Sequence, residues 1–369
     1  MYEYKDIRNV HLEPTEKCQA VCPMCPRNIL GGKENPFVIN AELTLDDCKQ
    51  IFEPKFIKQL DTMYMCGNYG DPILAKDTAE IMLYFRKSNP DMYLRMHTNG
   101  GARKAEWWDR LAKIICYKGR GEVTFSVDGL EDTNHLYRRQ TRWDVIMENA
   151  EAFISAGGRA RWDFIVFKHN QHQVEEAETL AKKMGFKQFR IRKTARFSYS
   201  PAGPDKWPVY DRTPFGTPQT FAYHIEPTDD EKYYNTEIDK FELLKEKYGS
   251  AEKYFDVANI SCLYKEKFKR IYVNAYGQVF PCCYISNDVY PGKNSIVRDT
   301  TEKLFNKYST EFNNLKNNSW DSILNHEWFA SKLEESWNTN LEGGKLMRCS
   351  RTCGNEYSPI MSQSKDTIL

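Results

Sequence analysis

Apolar and polar positions follow two alternating patterns through the first half of the chain. Between residues 7 and 195, short apolar or β-rich runs alternate with stretches whose apolar residues recur at helical spacing. Such alternation predicts β-α-β units and a parallel sheet. The clearest helix is predicted at Val174–Met184, where Gly185 follows as a stop signal, and another begins at Thr44, with Asp47 placed as in a capping box. Six strands are predicted, at residues 8–12, 62–66, 93–97, 122–127, 161–167 and 188–192.

The pattern changes after Phe197. Six of the sixteen prolines fall within residues 197–235, interleaved with aromatic residues, and so many prolines exclude a long helix or a central strand. We expect an ordered bridging region here, which either lines a substrate cavity or packs on the surface as a spacer.

A second module is predicted from residue 260 onward. Its first feature is a strand-turn-strand pattern at 270–273 and 278–280 around Gly277, followed by helical stretches at 301–307 and 319–337. We expect His326 to be a surface or core histidine rather than a metal ligand. The predicted core residues of the last stretch are Trp320, Ile323, Leu324, Trp328 and Leu333.

Composition narrows the class of protein. The chain has 369 residues, of which 41% are hydrophobic, so it can bury one large core and a smaller one. Its net charge of +1, with both signs interspersed, predicts no nucleic-acid partner. We find no signal-peptide pattern and no apolar run long enough for a membrane span, and therefore expect a cytoplasmic location. Eleven cysteines, several at ligand-like spacing, indicate metal binding rather than disulfides.

Three of these cysteines stand close together near the start of the chain. Cys18, Cys22 and Cys25 have C-x3-C-x2-C spacing and follow the first predicted strand. In a parallel α/β sheet, the loop at the carboxyl end of a strand is where a functional site is expected. Three thiolates on a 4Fe-4S cluster leave one iron open to bind another molecule. A structural zinc site is the alternative, although zinc normally takes four ligands.

At these residues the chain resembles the radical S-adenosylmethionine (SAM) superfamily, with Met24 where the family usually has an aromatic residue. The resemblance implies a partial (β/α)6 barrel, of α/β class, over residues 1–196. It also implies that SAM binds the open iron and is cleaved to a 5'-deoxyadenosyl radical, which abstracts hydrogen from an unactivated C-H bond.

Further strand ends resemble the SAM-binding segments of this family. Gly70 and Asp71 match the segment that binds the amino group of SAM, and Asn99 belongs to a matching Thr-Asn-Gly. Ser126 and Asp128 match a Ser-x-Asp-Gly pattern that contacts SAM and shapes a turn. Ten residues beyond Gly129, Arg139 is our candidate for the arginine that clamps the SAM carboxylate, chosen over Arg138 and Arg142.

The second cysteine set lies in the C-terminal module. Cys262, Gly277 and Cys282 read C-x14-G-x4-C, and Cys349 with Cys353 reads C-x3-C. This resembles the SPASM or twitch extension of radical SAM enzymes, a small α+β module, and implies one auxiliary 4Fe-4S cluster held by the four cysteines. Two alternatives remain open: Cys283 in place of Cys282, and zinc in place of the cluster.

These features predict three regions: a radical SAM barrel at 1–196, a bridging region at 197–259 and an auxiliary-cluster module at 260–369. The expected substrate is a peptide or protein; the alternative is dehydrogenation or epimerisation of a small polar metabolite. The resemblance implies an electron donor such as flavodoxin or ferredoxin. Because the first strand starts within ten residues of Met1, we expect no N-terminal winged-helix domain. A non-catalytic zinc-binding scaffold is the alternative from another class.

Overall fold

The computed structural model describes residues 3–214, 216–289, 303, 306–309, 311–358 and 364–368, the last segment by its backbone. Thirteen strands lie in this part of the chain. In chain order they are β1 (Asn9–Leu12), β2 (Asn28–Ile29), β3 (Lys33–Glu34), β4 (Thr62–Met65), β5 (Tyr93–Thr98), β6 (Gly121–Ser126), β7 (Ala160–Ile165), β8 (Gln188–Arg192), β9 (Trp207–Tyr210), β10 (Phe221–Ile225), β11 (Arg270–Val273), β12 (Val279–Phe280) and β13 (Ser364–Ile368).

Helices alternate with the strands of the first half and cover the sheet. They are α1 (Leu45–Ile51), α2 (Pro54–Lys58), α3 (Thr78–Ser88), α4 (Ala105–Ile115), α5 (Asn134–Tyr137), α6 (Trp143–Ser155), α7 (Val174–Met184), α8 (Glu237–Tyr248), α9 (Ala251–Val257), α10 (Leu263–Glu266), α11 (Cys283–Val289), α12 (Trp320–Asn325), α13 (Leu333–Glu335) and α14 (Met347–Cys353).

One sheet of nine strands organises the molecule. Its order is β12-β11-β1-β4-β5-β6-β7-β8-β13, and the six strands from β1 to β8 in that order run parallel. These six are the predicted strands, each within two residues of its predicted bounds. The α/β class and the barrel-type parallel sheet are therefore confirmed.

Local signals in the sequence explain several element boundaries. The Thr44 side chain accepts a hydrogen bond from the backbone N–H of Asp47, while the Asp47 carboxylate accepts from the Thr44 N–H, which completes the predicted capping box of α1. Gly185 ends α7 with a φ of 88°, a backbone conformation that glycine adopts without steric cost.

The hairpin of the C-terminal module belongs to the barrel sheet. β11 pairs in parallel with β1, from Asn9 opposite Arg270 to Leu12 opposite Val273, and β12 pairs antiparallel with β11. Gly277 lies in the intervening turn at a φ of 86°, as its predicted role requires. The predicted modules therefore share one sheet, and the domain boundaries stay a prediction.

The bridging region is more structured than the sequence indicated. β9 and β10 form an antiparallel hairpin that contains Pro208, and α8 and α9 follow, neither of which was predicted. Val209 and Ile225 of this hairpin pack in one apolar cluster with Ala20 and Met24 of the first cysteine loop. The region therefore supports the loop that carries the first cysteine set.

The predicted helical stretch at 319–337 is broken into α12, a π-helical turn at Trp328–Lys332 and α13. All five of its predicted core residues are buried. His326 is partly buried and packs against the rings of Tyr308 and Phe312. The stretch predicted at 301–307 lies largely outside the described residues.

Candidate active site

The first cysteine set lies in the loop that leaves β1, at the carboxyl end of the parallel strands. Cys22 is buried, and Cys18 and Cys25 are partly buried. All three line one large cavity of ≈ 1070 Å³. Its walls also come from the carboxyl ends of other barrel strands, from the bridging region and from the C-terminal module.

Each sulfur of this set contacts a polar group from another segment. Asn99 Nδ2 lies 3.7 Å from Cys18 Sγ, and Arg138 Nη1 lies 3.8 Å from Cys22 Sγ. Cys25 Sγ lies 3.8 Å from the carbonyl oxygen of Asn68. Burial raises the pKa of the Cys22 thiol to about 11, and the Arg138 charge opposes that rise. A metal that takes up these sulfurs as thiolates has to displace their protons.

The loop after β4 is fixed by a carboxyl group from the first cysteine loop. Glu13 Oε1 accepts hydrogen bonds from the backbone N–H groups of Tyr69, at 2.7 Å, and Gly70, at 3.1 Å. Its other oxygen accepts a hydrogen bond from the hydroxyl of Tyr272 in β11. Glu13 therefore joins the cysteine loop, the Gly70 loop and the hairpin of the C-terminal module. Burial raises the pKa of Glu13 to about 7.

This pKa predicts a pH dependence of stability. Between the unfolded pKa of 4.5 and the folded value of about 7, the folded chain holds a proton that the unfolded chain releases. The contribution of Glu13 to the free energy of unfolding is therefore full below pH 4.5 and is lost as the pH rises through 7, by about 3 kcal/mol in total. Urea unfolding across this range should show a smaller pH dependence for Glu13→Gln than for the wild type.

The control is Glu148→Gln, which changes an exposed glutamate of α6. It should keep the wild-type pH dependence. Equal pH dependence in the wild type and Glu13→Gln would contradict the raised pKa.

Four of the predicted SAM-binding residues share the cavity with the first cysteine set. They are Gly70, Asp71, Asn99 and Ser126. The Asp71 carboxylate accepts hydrogen bonds from the backbone N–H groups of Asn99, at 2.7 Å, and Ile73, at 3.2 Å, so it shapes two strand ends at once. The side chain of Asn99 is itself held by Gln19, whose Nε2 donates to Asn99 Oδ1 at 2.7 Å.

Asp128 lies behind the cavity wall. It is fully buried, accepts a hydrogen bond from the N–H of Ile165 at 2.6 Å, and pairs with Arg138 Nε at 2.6 Å. Because Arg138 also contacts Cys22 Sγ, Asp128 positions the guanidinium beside the first cysteine set.

The structure does not bring Arg139 to the cavity. Its Nη1 donates to the carbonyl oxygens of Gly31, at 2.8 Å, and Tyr210, at 2.6 Å, and so ties the β2–β3 hairpin to β9. Arg138 is the neighbouring arginine that lines the cavity. Nothing in the sequence distinguished the two, because the chain leaves α5 in an irregular turn at this point.

The second cysteine set converges on a separate, enclosed pocket. Cys262, Cys282, Cys349 and Cys353 all line it, each is buried, and Cys283 is not among its lining residues. The pocket holds ≈ 10 Å³, enough for about one water molecule, so the four thiols stand closer together than they would around an inserted cluster. The remaining lining is mostly apolar. Four thiols in such a lining fit an iron-sulfur cluster without an open iron.

Backbone pairing brings the two halves of this set together. The N–H of Ser261 donates to the carbonyl oxygen of Cys353 at 3.1 Å, and Ile260 forms a β-bridge with Gly354. A hydrogen bond with Cys353 lowers the pKa of Cys262, and the same contact raises the pKa of Cys353. The two sulfurs are therefore direct neighbours.

The two cysteine sets are linked by a shared wall. Arg348 and Thr352, both on α14, line the large cavity and the enclosed pocket. Arg348 is held by a bidentate ion pair with the buried Asp288 of α11. Tyr284, which follows Cys282 and Cys283, lines the large cavity. A molecule in the large cavity would therefore lie between the two sets.

Sequence reasoning missed the residues that join distant segments. These are Glu13, Gln19, Tyr272, Arg348 and Asp288. Their signal in the sequence is weak, since an isolated charged or polar residue is usually exposed. Only the burial of Glu13 and Asp288 marks them as unusual.

Two surveys of the described residues complete this picture. Across the described ranges, no three histidine, cysteine, aspartate or glutamate side chains form a preassembled site for a single metal ion. A cluster binds its thiolates through separate irons, so the thiols need not converge on one point. Within the same ranges, no helix is both long and apolar enough to cross a membrane.

Two family models match the chain. One, described as the radical SAM superfamily, matches residues 12–183, and the other, the iron-sulfur cluster-binding domain SPASM, matches residues 262–354. The first includes Cys18, Cys22 and Cys25, and the second includes Cys262, Cys282, Cys349 and Cys353.

Solved structures with the same fold include SuiB of Streptococcus suis bound to its precursor peptide SuiA. It has a TM-score of 0.51 and 11% identity, over 92% of this chain and 70% of SuiB. Another SuiB structure has a TM-score of 0.47 and 12% identity, over 79% of this chain and 65% of SuiB. The protein anSMEcpe with bound AdoMet has a TM-score of 0.49 and 16% identity, over 94% of this chain and 85% of that one. The chain thus spans about two thirds of SuiB, and the SuiB–SuiA likeness supports the fold.

Proposed function

Because this chain belongs to the radical SAM superfamily and carries an iron-sulfur cluster-binding domain, we propose that it cleaves SAM reductively and abstracts hydrogen from a C-H bond of its substrate. The observation that carries the proposal is the joint lining of one cavity by Cys18, Cys22 and Cys25 and by the strand ends at Gly70, Asn99 and Ser126. Each of these residues matches a segment of the family, and tertiary folding brings them together.

Two groups of thiols would hold the cofactors. Cys18, Cys22 and Cys25 would bind a 4Fe-4S cluster with an open iron, and Cys262, Cys282, Cys349 and Cys353 would bind an auxiliary cluster. When bound, the first cluster supplies the electron and the open iron that SAM cleavage needs. A donor such as flavodoxin or ferredoxin would deliver that electron.

The chain's own residues then bind and orient the reactants. In this proposal Gly70 and Asp71 shape the end of β4 for the amino group of SAM, and Ser126 contacts SAM from the end of β6. Arg138 replaces Arg139 as the cationic residue of this site, held by Asp128. The aromatic residues of the cavity exclude water from a radical reaction. They are Tyr69, Tyr137, Tyr199, Trp207 and Tyr284.

The proposed substrate is a peptide or protein segment. SuiB is solved with its precursor peptide SuiA, and the cavity of ≈ 1070 Å³ leaves space beside a molecule of SAM size. Cavities for single small ligands are usually about 300–1,000 Å³.

A second candidate is dehydrogenation or epimerisation of a small polar metabolite. The specific observation in its favour is the polar lining of the cavity, in which arginines and tyrosines from the last barrel strand and from α14 face the same space. Such a lining suits a small anion or a polyol.

The test is anaerobic reconstitution followed by incubation with SAM and a reductant. The proposal expects about eight irons per chain, broad visible absorption and formation of 5'-deoxyadenosine. Deuterium from a labelled substrate should appear in the 5'-deoxyadenosine, with labelled peptides and labelled small metabolites compared in parallel. A chain that takes up two metal ions at most and forms no 5'-deoxyadenosine would instead be the zinc-binding scaffold.

A further inference from the structure

Two arginines face the large cavity from opposite sides of the boundary between the barrel and the C-terminal module. Arg196 begins a 3₁₀ turn, Arg196–Tyr199, just after β8. Arg351 lies on α14, between Cys349 and Cys353. Both line the cavity, so any molecule that fills it meets their positive charges.

Aromatic residues hold both guanidinium groups in place. Arg196 Nη1 donates a hydrogen bond to the hydroxyl of Tyr137 at 2.9 Å. The guanidinium carbon of Arg351 lies 3.2 Å from the centre of the Tyr199 ring, and the Tyr199 hydroxyl donates to that of Tyr357 at 2.8 Å. A guanidinium stacked on a ring keeps the N–H groups of its edge available for a planar acceptor.

The carboxylates on the cavity walls are already engaged. Asp288 pairs with Arg348, and Asp71 accepts backbone N–H groups. Asp163, just behind the wall, pairs with Arg190 at 2.5 Å and lies 3.9 Å from Arg192. Within the described part of the chain, no carboxylate lies at ion-pair distance from Arg196 or Arg351. Two positive charges therefore remain without a carboxylate in an enclosed space, where a complementary anion is bound most strongly.

We propose that the substrate carries a carboxylate, and that Arg196 and Arg351 bind this carboxylate beside Tyr199. A carboxylate matches the planar fork of a guanidinium and can bind it through two parallel hydrogen bonds. The inference rests on the proposed function, because it concerns the molecule that occupies the same cavity. The carboxylate belongs either to a small free acid or to a peptide.

The experiment measures binding by calorimetry to the reconstituted, SAM-loaded protein. The ligands are succinate, N-acetyl-tetraglycine with a free carboxylate, and the C-terminal amide of the same peptide. Arg196→Gln and Arg351→Gln should each weaken binding of the acid by at least about tenfold. Arg196→Lys and Arg351→Lys, which keep the charge but lose the fork, should fall between these variants and the wild type.

Arg142→Gln is the matched control, because Arg142 is an exposed guanidinium paired with Asp144 on the surface. It should bind the acid like the wild type. Iron content is measured for every variant. The inference expects Arg196→Gln and Arg351→Gln to keep the wild-type iron content, whereas loss of iron would assign these charges to the clusters and overturn it.

The ligands separate the two sources of the carboxylate. Arginine-dependent binding of succinate alone assigns a small free acid, and arginine-dependent binding of the peptide acid alone assigns a peptide. The inference is overturned when the wild type binds neither acid, when the amide binds as well as the acid, or when all variants bind like the wild type.

Failure of this inference is distinguishable from failure of the proposed function. Formation of 5'-deoxyadenosine by a wild type whose anion binding does not depend on either arginine removes the inference alone. Arginine-dependent acid binding by a wild type that forms no 5'-deoxyadenosine removes the proposed function and leaves the carboxylate site.

Discussion

Cys22→Ala is expected to abolish 5'-deoxyadenosine formation, whereas Cys353→Ala is expected to leave it measurable. Cys22 is the most buried sulfur of the first set and the one that Arg138 contacts. Removal of this sulfur leaves two thiolates, which do not retain a 4Fe-4S cluster at the cavity. Without that cluster, no electron reaches SAM.

Cys353 belongs to the enclosed pocket, where its loss affects the auxiliary cluster alone. SAM and the first cysteine loop do not depend on this pocket for their ligands. Iron content should therefore fall from about eight to about four per chain in Cys353→Ala, with 5'-deoxyadenosine still formed in the absence of substrate turnover. Iron analysis and chromatographic detection of 5'-deoxyadenosine measure both effects.

Cys116→Ala is the matched control, since Cys116 is a partly buried thiol outside both sets. It should keep both the iron content and the SAM cleavage of the wild type. Wild-type SAM cleavage by Cys22→Ala would mean that the first set does not hold the reactive cluster.

Gly70→Ala is the second substitution with a large expected effect. A Cβ atom at residue 70 would lie 1.8 Å from the carbonyl oxygen of Thr15 and 2.9 Å from the carbonyl carbon of Glu16. These are backbone atoms of the first cysteine loop, so relief of the clash has to move either this loop or the end of β4. We expect the free energy of unfolding to fall by about 3 kcal/mol, the upper part of the usual range for overpacking.

The same movement should impair the site. Cys18 follows Thr15 by three residues, and the Gly70 N–H is held by Glu13, so the clash disturbs both sides of the proposed SAM site. Denaturant unfolding and the rate of 5'-deoxyadenosine formation should therefore both decline in Gly70→Ala.

Gly157→Ala serves as the comparison, because nothing lies within 4 Å of the added Cβ atom. Its φ of 85° makes alanine unfavourable by about 1 kcal/mol, with no effect on SAM cleavage. If Gly70→Ala were as stable and active as Gly157→Ala, the close approach of the two loops would not be required.

Much of the fold could be predicted because its signals are local. The six parallel strands lie within two residues of their predicted bounds, since short apolar runs between helical stretches have few other solutions in an α/β chain. The capping box at Thr44 and the end of α7 at Gly185 depend only on neighbouring residues.

Other features could not be predicted because they depend on contacts between distant segments. The pairing of β11 with β1 joins residues that are more than 250 positions apart, and no periodicity indicates which strand edge the hairpin of the second module takes. In the bridging region, the density of prolines concealed α8 and α9, which begin after the last proline of that stretch.

The sequence by itself determined the parallel α/β sheet, the two groups of cysteines and the family to which the chain belongs, because strand periodicity and ligand spacing are written in consecutive residues. Only the tertiary structure decided that Arg138 rather than Arg139 lines the cavity, that Cys282 rather than Cys283 lines the enclosed pocket, and that Arg196 and Arg351 meet in one space. Adjacent residues have the same neighbours in sequence, and the direction of each side chain is set by the segments that pack against it.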